Sequence, residues 1–385
     1  MVNTKRVGFC FCVLGISLSV WSMDTTRIKE IRDQYAQSST PLDSAAVQVI
    51  DDFWRKSVDA MMLTEDTDEM VALRLDLKKF SGDNHLSLYA SAYLKAGRKH
   101  LGVATDTVGK WEENARKVRV ERNLMVLVAE LESVELADLA LAKLSDKDPM
   151  VRYWAVRSLT SPEIVSQLKE DVTRDEKLTS QIISALEEYL KTSPDTLTLP
   201  FVAEFAAGIN TAVSRKLLWT LADRRIDAYM KWTVTDESVD AGILKSIGEL
   251  APVVSDPLEK QELLSRFGRL YACVIGRYMQ GEKLLPQAAK DRLVTVIAEV
   301  EDKIISKQVA GWAMKFRTDL SKNIPLDKDY ELLFGSEGRV GELAGRLDFN
   351  YGKDGSGKAL VSPIPLPPPP KPSNATDASA AAAKP

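Results

Sequence analysis

With 385 residues and 45% apolar side chains, the chain has the material for two ordinary cores or one elongated one, which excludes a wholly disordered product. A formal charge of −4, with both signs interspersed through 28% charged residues, excludes partners that need a clustered excess of Lys and Arg, namely nucleic acid and anionic membrane surfaces. Cys10 and Cys12 lie in an apolar N-terminal run, so a chain without that run keeps Cys273 alone and has no internal disulfide.

Residues 1–22 have the layout of a secretory signal: a basic start at Lys5-Arg6, an apolar run from Val7 to Trp21, and Val20 and Ser22 at the −3 and −1 positions of a cut after Ser22. The run is short for a spanning helix, which wants roughly twenty residues. Cleavage predicts an exported protein, periplasmic or extracellular. Retention of residues 7–21 would make the same segment a membrane anchor, the second reading.

Residues 23–109 predict N-terminal helices. Thr25–Gln37 is a short one, and Ala45–Leu63 carries Ala46, Val49, Ile50, Phe53, Trp54, Val58 and Met61 mostly at spacings of three and four, one apolar stripe. Glu65, Asp66, Asp68 and Glu69 head the helix Met70–Phe80, where carboxylates favour the positive helix end; the alternating ligands and turn glycine of a calcium loop are missing. Helical periodicity resumes over His85–Leu101. His85 and His100, the two histidines of the chain, stand fifteen residues apart without a Cys or His at ligand spacing and read as surface or capping residues. In the helix Lys110–Glu132, Arg116, Lys117, Arg119 and Arg122 alternate with Glu112, Glu113 and Glu121 as on a solvated face.

A longer period begins here. The apolar triplet Val151, Ala155, Leu159 recurs 31 residues on at Ile182, Leu186, Leu190, again at Val213, Leu217, Leu221, and 31 residues back at Val120, Leu124, Val128. Because 31 is not a whole number of 3.6-residue turns, separate helices at a fixed interval generate the pattern and one continuous helix does not. Breaks and second helices fall between the triplets: Ser161-Pro162 opening Glu163–Glu170, the loop Thr192-Ser193-Pro194-Asp195, and Phe201–Ile209. Two helices and two turns in about thirty residues make one solenoid repeat.

The stretch Asp146-x-Asp148-x-x-Val151-Arg152-x-x-Ala155-Val156-x-x-Leu159 resembles the HEAT repeat, in its short HEAT-like or PBS-lyase-like form, of the armadillo-type superhelix class. The physical reading agrees: Asp148 can cap a helix begun by Pro149, Val151 and Leu159 face a core, and Ala155 permits close helix approach. The resemblance implies that Arg152 bonds carboxylate or carbonyl groups of the adjoining repeat, a structural role. Neighbouring repeats keep the triplet and lose the Val-Arg pair, so the array over residues 110–250 is degenerate.

Asp236–Leu250 is a further amphipathic helix, and from 251 to 325 the spacing lengthens into Pro257–Met279, Pro286–Ser306 and Gln308–Leu320. Residues 326–361 read as irregular, with short helical segments at Tyr330–Phe334 and Val340–Leu347. Residues 362–385 start with a polyproline run, Ser362 to Pro372, and end Ala-rich, which predicts an extended, disordered tail acting as spacer or peptide ligand. Gly352-Lys353-Asp354-Gly355-Ser356-Gly357-Lys358-Ala359 follows the phosphate-loop pattern but has Ala359 where a hydroxyl residue holds magnesium, and Leu360-Val361-Ser362-Pro363 where a helix should follow; it reads as a polar turn.

The expected fold class is therefore all-α: an α-solenoid of HEAT-like hairpins with a longer-helix C-terminal part and a disordered Pro-rich tail. No nucleophile elbow, zinc helix, paired cysteines or dinucleotide glycine pattern is present, so neither cofactor nor metal is expected. The expected function is a scaffold binding a protein or peptide partner, with no nucleic acid and with a membrane only through a retained residue 7–21 anchor. The alternative is an enzyme or accessory subunit, because HEAT-like repeats also occur in lyases and carry catalytic acids on loops.

Overall fold

Segments whose apolar residues recur at three and four fold as helices, and among the described residues the protein is all-α apart from one very short strand pair. The computed structural model describes residues 25–38, 40–82, 87–170, 172–193, 195–281 and 284–370, without the side chains of 172–175. The signal or anchor segment, His85, Pro194 and the tail from 371 onward lie outside the described residues. The described residues divide into two compact units, one ending at Ala104 and the other beginning at Thr105.

The first unit contains α1 (Thr25–Tyr35), α2 (Ser44–Leu63), α3 (Thr67–Lys79) and the start of α4 (Leu88–Gly109). Asp43 caps α2 by accepting from the Ala46 amide, and Asp66 caps α3 by accepting from Asp68 and Glu69. The acidic run 65–69 thus does cap chemistry. The α2 stripe supplies Phe53, Trp54, Val58 and Met61 to a core completed by Met70, Leu77, Tyr89 and Tyr93. Both tyrosine hydroxyls are buried and donate to the last carbonyls of α3: Tyr93 to Leu77 at 2.7 Å and Tyr89 to Phe80 at 2.8 Å.

The second unit continues with α5 (Ala115–Glu130), a 3-10 turn (Val134–Leu136), α6 (Ala137–Leu141), α7 (Pro149–Thr160), α8 (Pro162–Glu170), α9 (Val172–Thr192), α10 (Leu199–Ile209), α11 (Ala212–Met230) and α12 (Val239–Leu250). After the turn Ala251–Val253 come α13 (Pro257–Gln280) and α14 (Gln287–Val300), a π turn at Glu301–Ile305, α15 (Ser306–Gln308), α16 (Lys315–Ser321), α17 (Asp327–Phe334), the strand pair Gly335–Ser336 with Arg339–Val340, and α18 (Glu342–Leu347). Helices two apart in sequence pack on each other: α5 on α7, α9 on α11 and α11 on α13 make up a first row, interrupted between α7 and α9 where α7 packs on α10, while α8 on α10, α10 on α12 and α12 on α14 form a second. The rows are tied by α10 on α11, α12 on α13 and α13 on α14.

The four 31-residue triplets fall on α5, α7, α9 and α11, all in the first row. Eleven of the twelve side chains are buried; Val213, in the first turn of α11, is 54% exposed. The period therefore marks one face of one row, with a slip at its last repeat.

Two expectations change. Gln308–Leu320 is not one helix: Gly311 and Met314 have positive φ (84° and 46°), and a helix starts only at Lys315. The cause is Glu301, buried within the π turn, whose carboxylate accepts from the Trp312 indole (2.7 Å) and from the amides of Phe316 (2.8 Å) and Arg317 (2.7 Å), so that it stands at the first turn of α16. The polyproline run is extended, as its composition requires, yet residues 362–370 are not free: the Trp232 indole donates to the Pro367 carbonyl at 3.0 Å, and Leu366 is buried. An apolar side chain at every third position gives the run a face that the helices cover.

Candidate functional site

The residues singled out by the repeat stand at one joint. Asp148 caps α7, its carboxylate accepting from the amides of Met150 and Val151, while Pro149 occupies the first turn where no amide bond is lost. Val151, Ala155 and Leu159 are fully buried on α7, which packs on α5, α6 and α10. Arg152 reaches forward to the loop after α9, where its Nε donates to Asp195 at 2.7 Å, and its Nη1 donates to the carbonyls of Asp146 (2.8 Å) and Lys147 (3.2 Å).

Burial pushes the Asp195 carboxyl up, but hydrogen bonds from Arg152 and Ser193 and the Arg152 charge outweigh it and hold the group below the usual carboxylate range. Asp148 has a further partner, because Arg122 of α5 donates to it through Nε (3.0 Å) and Nη2 (2.7 Å). The α5 basic face is thus partly a joint between helices. Nothing about these five residues presents chemistry to solvent.

The surface that does so lies on the second row. Helices α8, α10 and α12 bury Ile164 and Leu168, Val202, Phe205 and Ala206, and Ile243, Leu244 and Ile247 respectively. Their 3.6-residue period turns Lys169, Glu204, Lys245 and Glu249 the other way, where they line a groove of about 400 Å³ with Gly208, Asn210 and Val253. α10 and α12 approach closely at their N-terminal ends, where a Cβ on Gly242 would stand 2.9 Å from the Pro200 Cβ.

None of the four groove charges has an ion-pair partner within 4 Å among the described residues. Lys245 and Glu249 are four apart on one helix face, so the groove offers a cation and an anion side by side. Such a surface can pair with polar segments bearing both signs, at solvent-exposed strength and with salt sensitivity.

Elsewhere, groups that resemble reactive ones are occupied structurally. Cys273 is 4% exposed, and burial pushes its thiol up to about 12, which removes its nucleophilic character near neutrality. His100 bonds Asp51 at 3.0 Å in the first unit, beside Lys99 on the same carboxylate at 2.8 Å, so it is a half-buried ion-cluster member and not a surface residue. Among the described residues no group of three or more His, Cys, Asp or Glu could hold a metal ion.

The 352–359 turn folds as a small hairpin in which the amides of Ser356 and Lys358 donate to the Asp354 carboxylate at 2.8 and 2.9 Å. Amides that would face a phosphate are spent on the loop's own side chain.

The groove residues escape sequence reading because each is an ordinary exposed charge on an amphipathic helix, and only packing shows that three helices aim them at one place. No model of a known protein family matches the chain, and comparison with curated proteins gives no match.

Proposed function

We propose that this chain is an exported helical-repeat scaffold that binds a protein or peptide partner along its second row of helices. The observation that carries the reading is the groove between α8, α10 and α12, which Lys169, Glu204, Lys245 and Glu249 line without an ion-pair partner within 4 Å among the described residues, on helices whose other faces are buried in the core. Carboxylates and ammonium groups held a few residues apart on rigid helices can meet the charges and main-chain groups of an extended segment, gaining specificity from sign and spacing more than from area.

The architecture that goes with this is an α-solenoid of HEAT-like hairpins over residues 110–250, capped by the longer helices that follow. It is supported by packing between helices two apart in sequence, by the placement of the triplets on one row, and by the Arg152–Asp195 bridge between successive hairpins. Export rests on the basic-then-apolar layout of residues 1–22, and no helix among the described residues is long and apolar enough to cross a membrane.

The test is a four-fold charge reversal, Lys169→Glu, Glu204→Lys, Lys245→Glu and Glu249→Lys, used as bait beside the wild-type chain in envelope extract. The partner captured by the wild type is expected to be lost from the reversed chain at equal melting temperature. Identical capture by both would remove the groove from the function. N-terminal sequencing of the exported protein is expected to begin at Met23; a start at residue 1 or 2 would favour the anchor.

A further inference from the structure

A second surface of the same unit already holds a peptide, and that peptide is the chain's own. Residues 363–369 run extended, and the positions turned inward recur every third residue at Pro363 and Leu366, with Pro369 half-buried. Three is the period of the polyproline II helix, which prolines pre-form and which leaves every backbone carbonyl free to accept. The helices meet those carbonyls: Trp232 donates from its indole to Pro367 at 3.0 Å, and Gln280 donates from its amide to Leu366 at 3.4 Å.

Leu366, 7% exposed, seats against Gly276 of α13, where an added Cβ would come within 3.3 Å of its Cδ1. Recognition by main-chain acceptors plus one apolar side chain every three residues tolerates other proline-rich sequences.

Trp232 ends α11: its backbone is left-handed, φ 58°, and the amides of Trp232 and Thr233 donate back to the carbonyls of Tyr229 and Ala228. Its indole is then clamped from behind by Arg277, whose guanidinium carbon lies 5.3 Å from the Trp232 ring and 6.0 Å from that of Tyr229. Arg277 is 6% exposed; its Nη2 donates to the Val234 carbonyl (3.3 Å) and to the buried Glu237 carboxylate (3.4 Å), which anchors the guanidinium against the two rings.

The resident segment fits only part of the site. Beside Ile364, which is 53% exposed, a cavity of about 460 Å³ is lined by Asp327, Glu331 and Glu337 and, among the described residues, by no basic one. An apolar side chain thus stands where three carboxylates would meet a cation.

We propose that the Trp232 cleft is a binding site for a proline-rich segment of another protein carrying Lys or Arg at the place of Ile364, and that residues 362–370 are its tethered resident. The proposal rests on reading the helical body as a peptide-binding scaffold, and it names a second site and the class of its ligand. The tether gives the resident a millimolar-scale effective concentration, so an incoming segment exchanges with it by adding the charge contact the resident lacks.

The full-length chain is titrated, by fluorescence anisotropy, with a labelled peptide of residues 361–370 and with its Ile364→Arg version. The Arg version is expected to bind the wild-type chain at least tenfold more tightly. Leu366→Ala in the full-length chain, which loosens the resident without touching the helices, is expected to raise affinity for both peptides severalfold, and Trp232→Ala added to it to abolish binding of both.

Equal affinity for the two peptides would overturn the basic-ligand assignment. Absence of binding to a Leu366→Ala chain with wild-type circular dichroism and melting would overturn the site, as would binding that survives Trp232→Ala. Should Leu366→Ala fail to fold, Pro365→Gly with Pro367→Gly loosens the resident by a different route and is read the same way. Sedimentation that shows a dimer dependent on Trp232 would assign the cleft to a second copy and overturn the partner assignment. None of these outcomes changes the charge-reversal result at the α8–α10–α12 groove, so failure here and failure there are separately visible.

Discussion

Arg152 spends its guanidinium on three acceptors, the Asp195 carboxylate and two carbonyls of its own turn, and none of them lies in the groove. Arg152→Ala is therefore expected to lower stability by about 1–2 kcal/mol, read as a lower urea midpoint, and to leave partner binding unchanged. An unaltered midpoint with lost binding would move Arg152 from the joint to the recognition surface. The same joint sets a pH dependence. Asp195 has a folded-state value below its unfolded one, which is about 3.9, so its contribution is complete above that value and is lost as pH falls through the folded one. Asp195→Asn is expected to lower the midpoint at pH 7 and to flatten its decline between about pH 5 and pH 2, measured as midpoint against pH.

A more deeply buried pair behaves more severely: Arg225 grips both oxygens of Asp240 at 2.7 and 2.8 Å, and the Tyr229 hydroxyl donates to the same carboxylate at 2.6 Å. Burial opposes the Arg225 charge, but the Asp240 bonds outweigh it and keep the guanidinium protonated. Asp240→Ala is expected to cost about 3–5 kcal/mol in thermal or urea melts, since it strands a buried cation. Replacing both partners by apolar residues is expected to cost less than the single change.

At the scale of elements, the π turn shows how a helix can be interrupted without a break in its periodicity. Val309, Trp312 and Phe316 are spaced three and four apart and all are buried, which is a helical signature, yet the chain leaves the helix at Val309 and re-enters at Lys315. Burial spacing records which side chains reach a core and is silent on whether the backbone between them is continuous. What re-routes the chain is Glu301 of the preceding π turn, which offers its two oxygens to the Trp312 indole and to two amides that a continuous helix would have satisfied internally. Glu301→Ala is expected to cost about 2–4 kcal/mol and to raise amide exchange at Phe316 and Arg317 selectively, because two buried donors and the part-buried Arg317 amide lose their acceptor. Uniform exchange across the unit would instead mean that Glu301 acts through general packing.

In the second unit most helices pack on the helix two places along the chain and on the next one, with α7 packing besides on α6 and α10. In the proposed solenoid, stability is a sum of nearest-neighbour terms, so damage stays local. Leu186→Ala, a fully buried triplet residue on α9, is expected to cost about 2–5 kcal/mol, with exchange protection lost first in α9 and α11 and retained longest in α14. Loss of protection in one step throughout would argue for a single cooperative core and against a solenoid.

That the protein is helical was legible in the sequence, because apolar spacing and helix-start residues such as Asp66 and Asp148 are local, and the 31-residue triplets marked four helices of one row. Val213 shows the limit even there: the period carries it into the first turn of α11, where its face meets solvent. Tertiary structure alone decided the rest. Lys169, Glu204 and Glu249 are separated by 35 and 45 residues and become one surface only when α8, α10 and α12 lie side by side. Trp232 and Pro367 are 135 residues apart, and the proline run, which by composition resembles a free tail, is held because a left-handed turn and an arginine behind it aim one indole N–H at a carbonyl. Local propensity acts over a few residues, whereas groove and cleft are products of packing between segments whose separation leaves no trace in either.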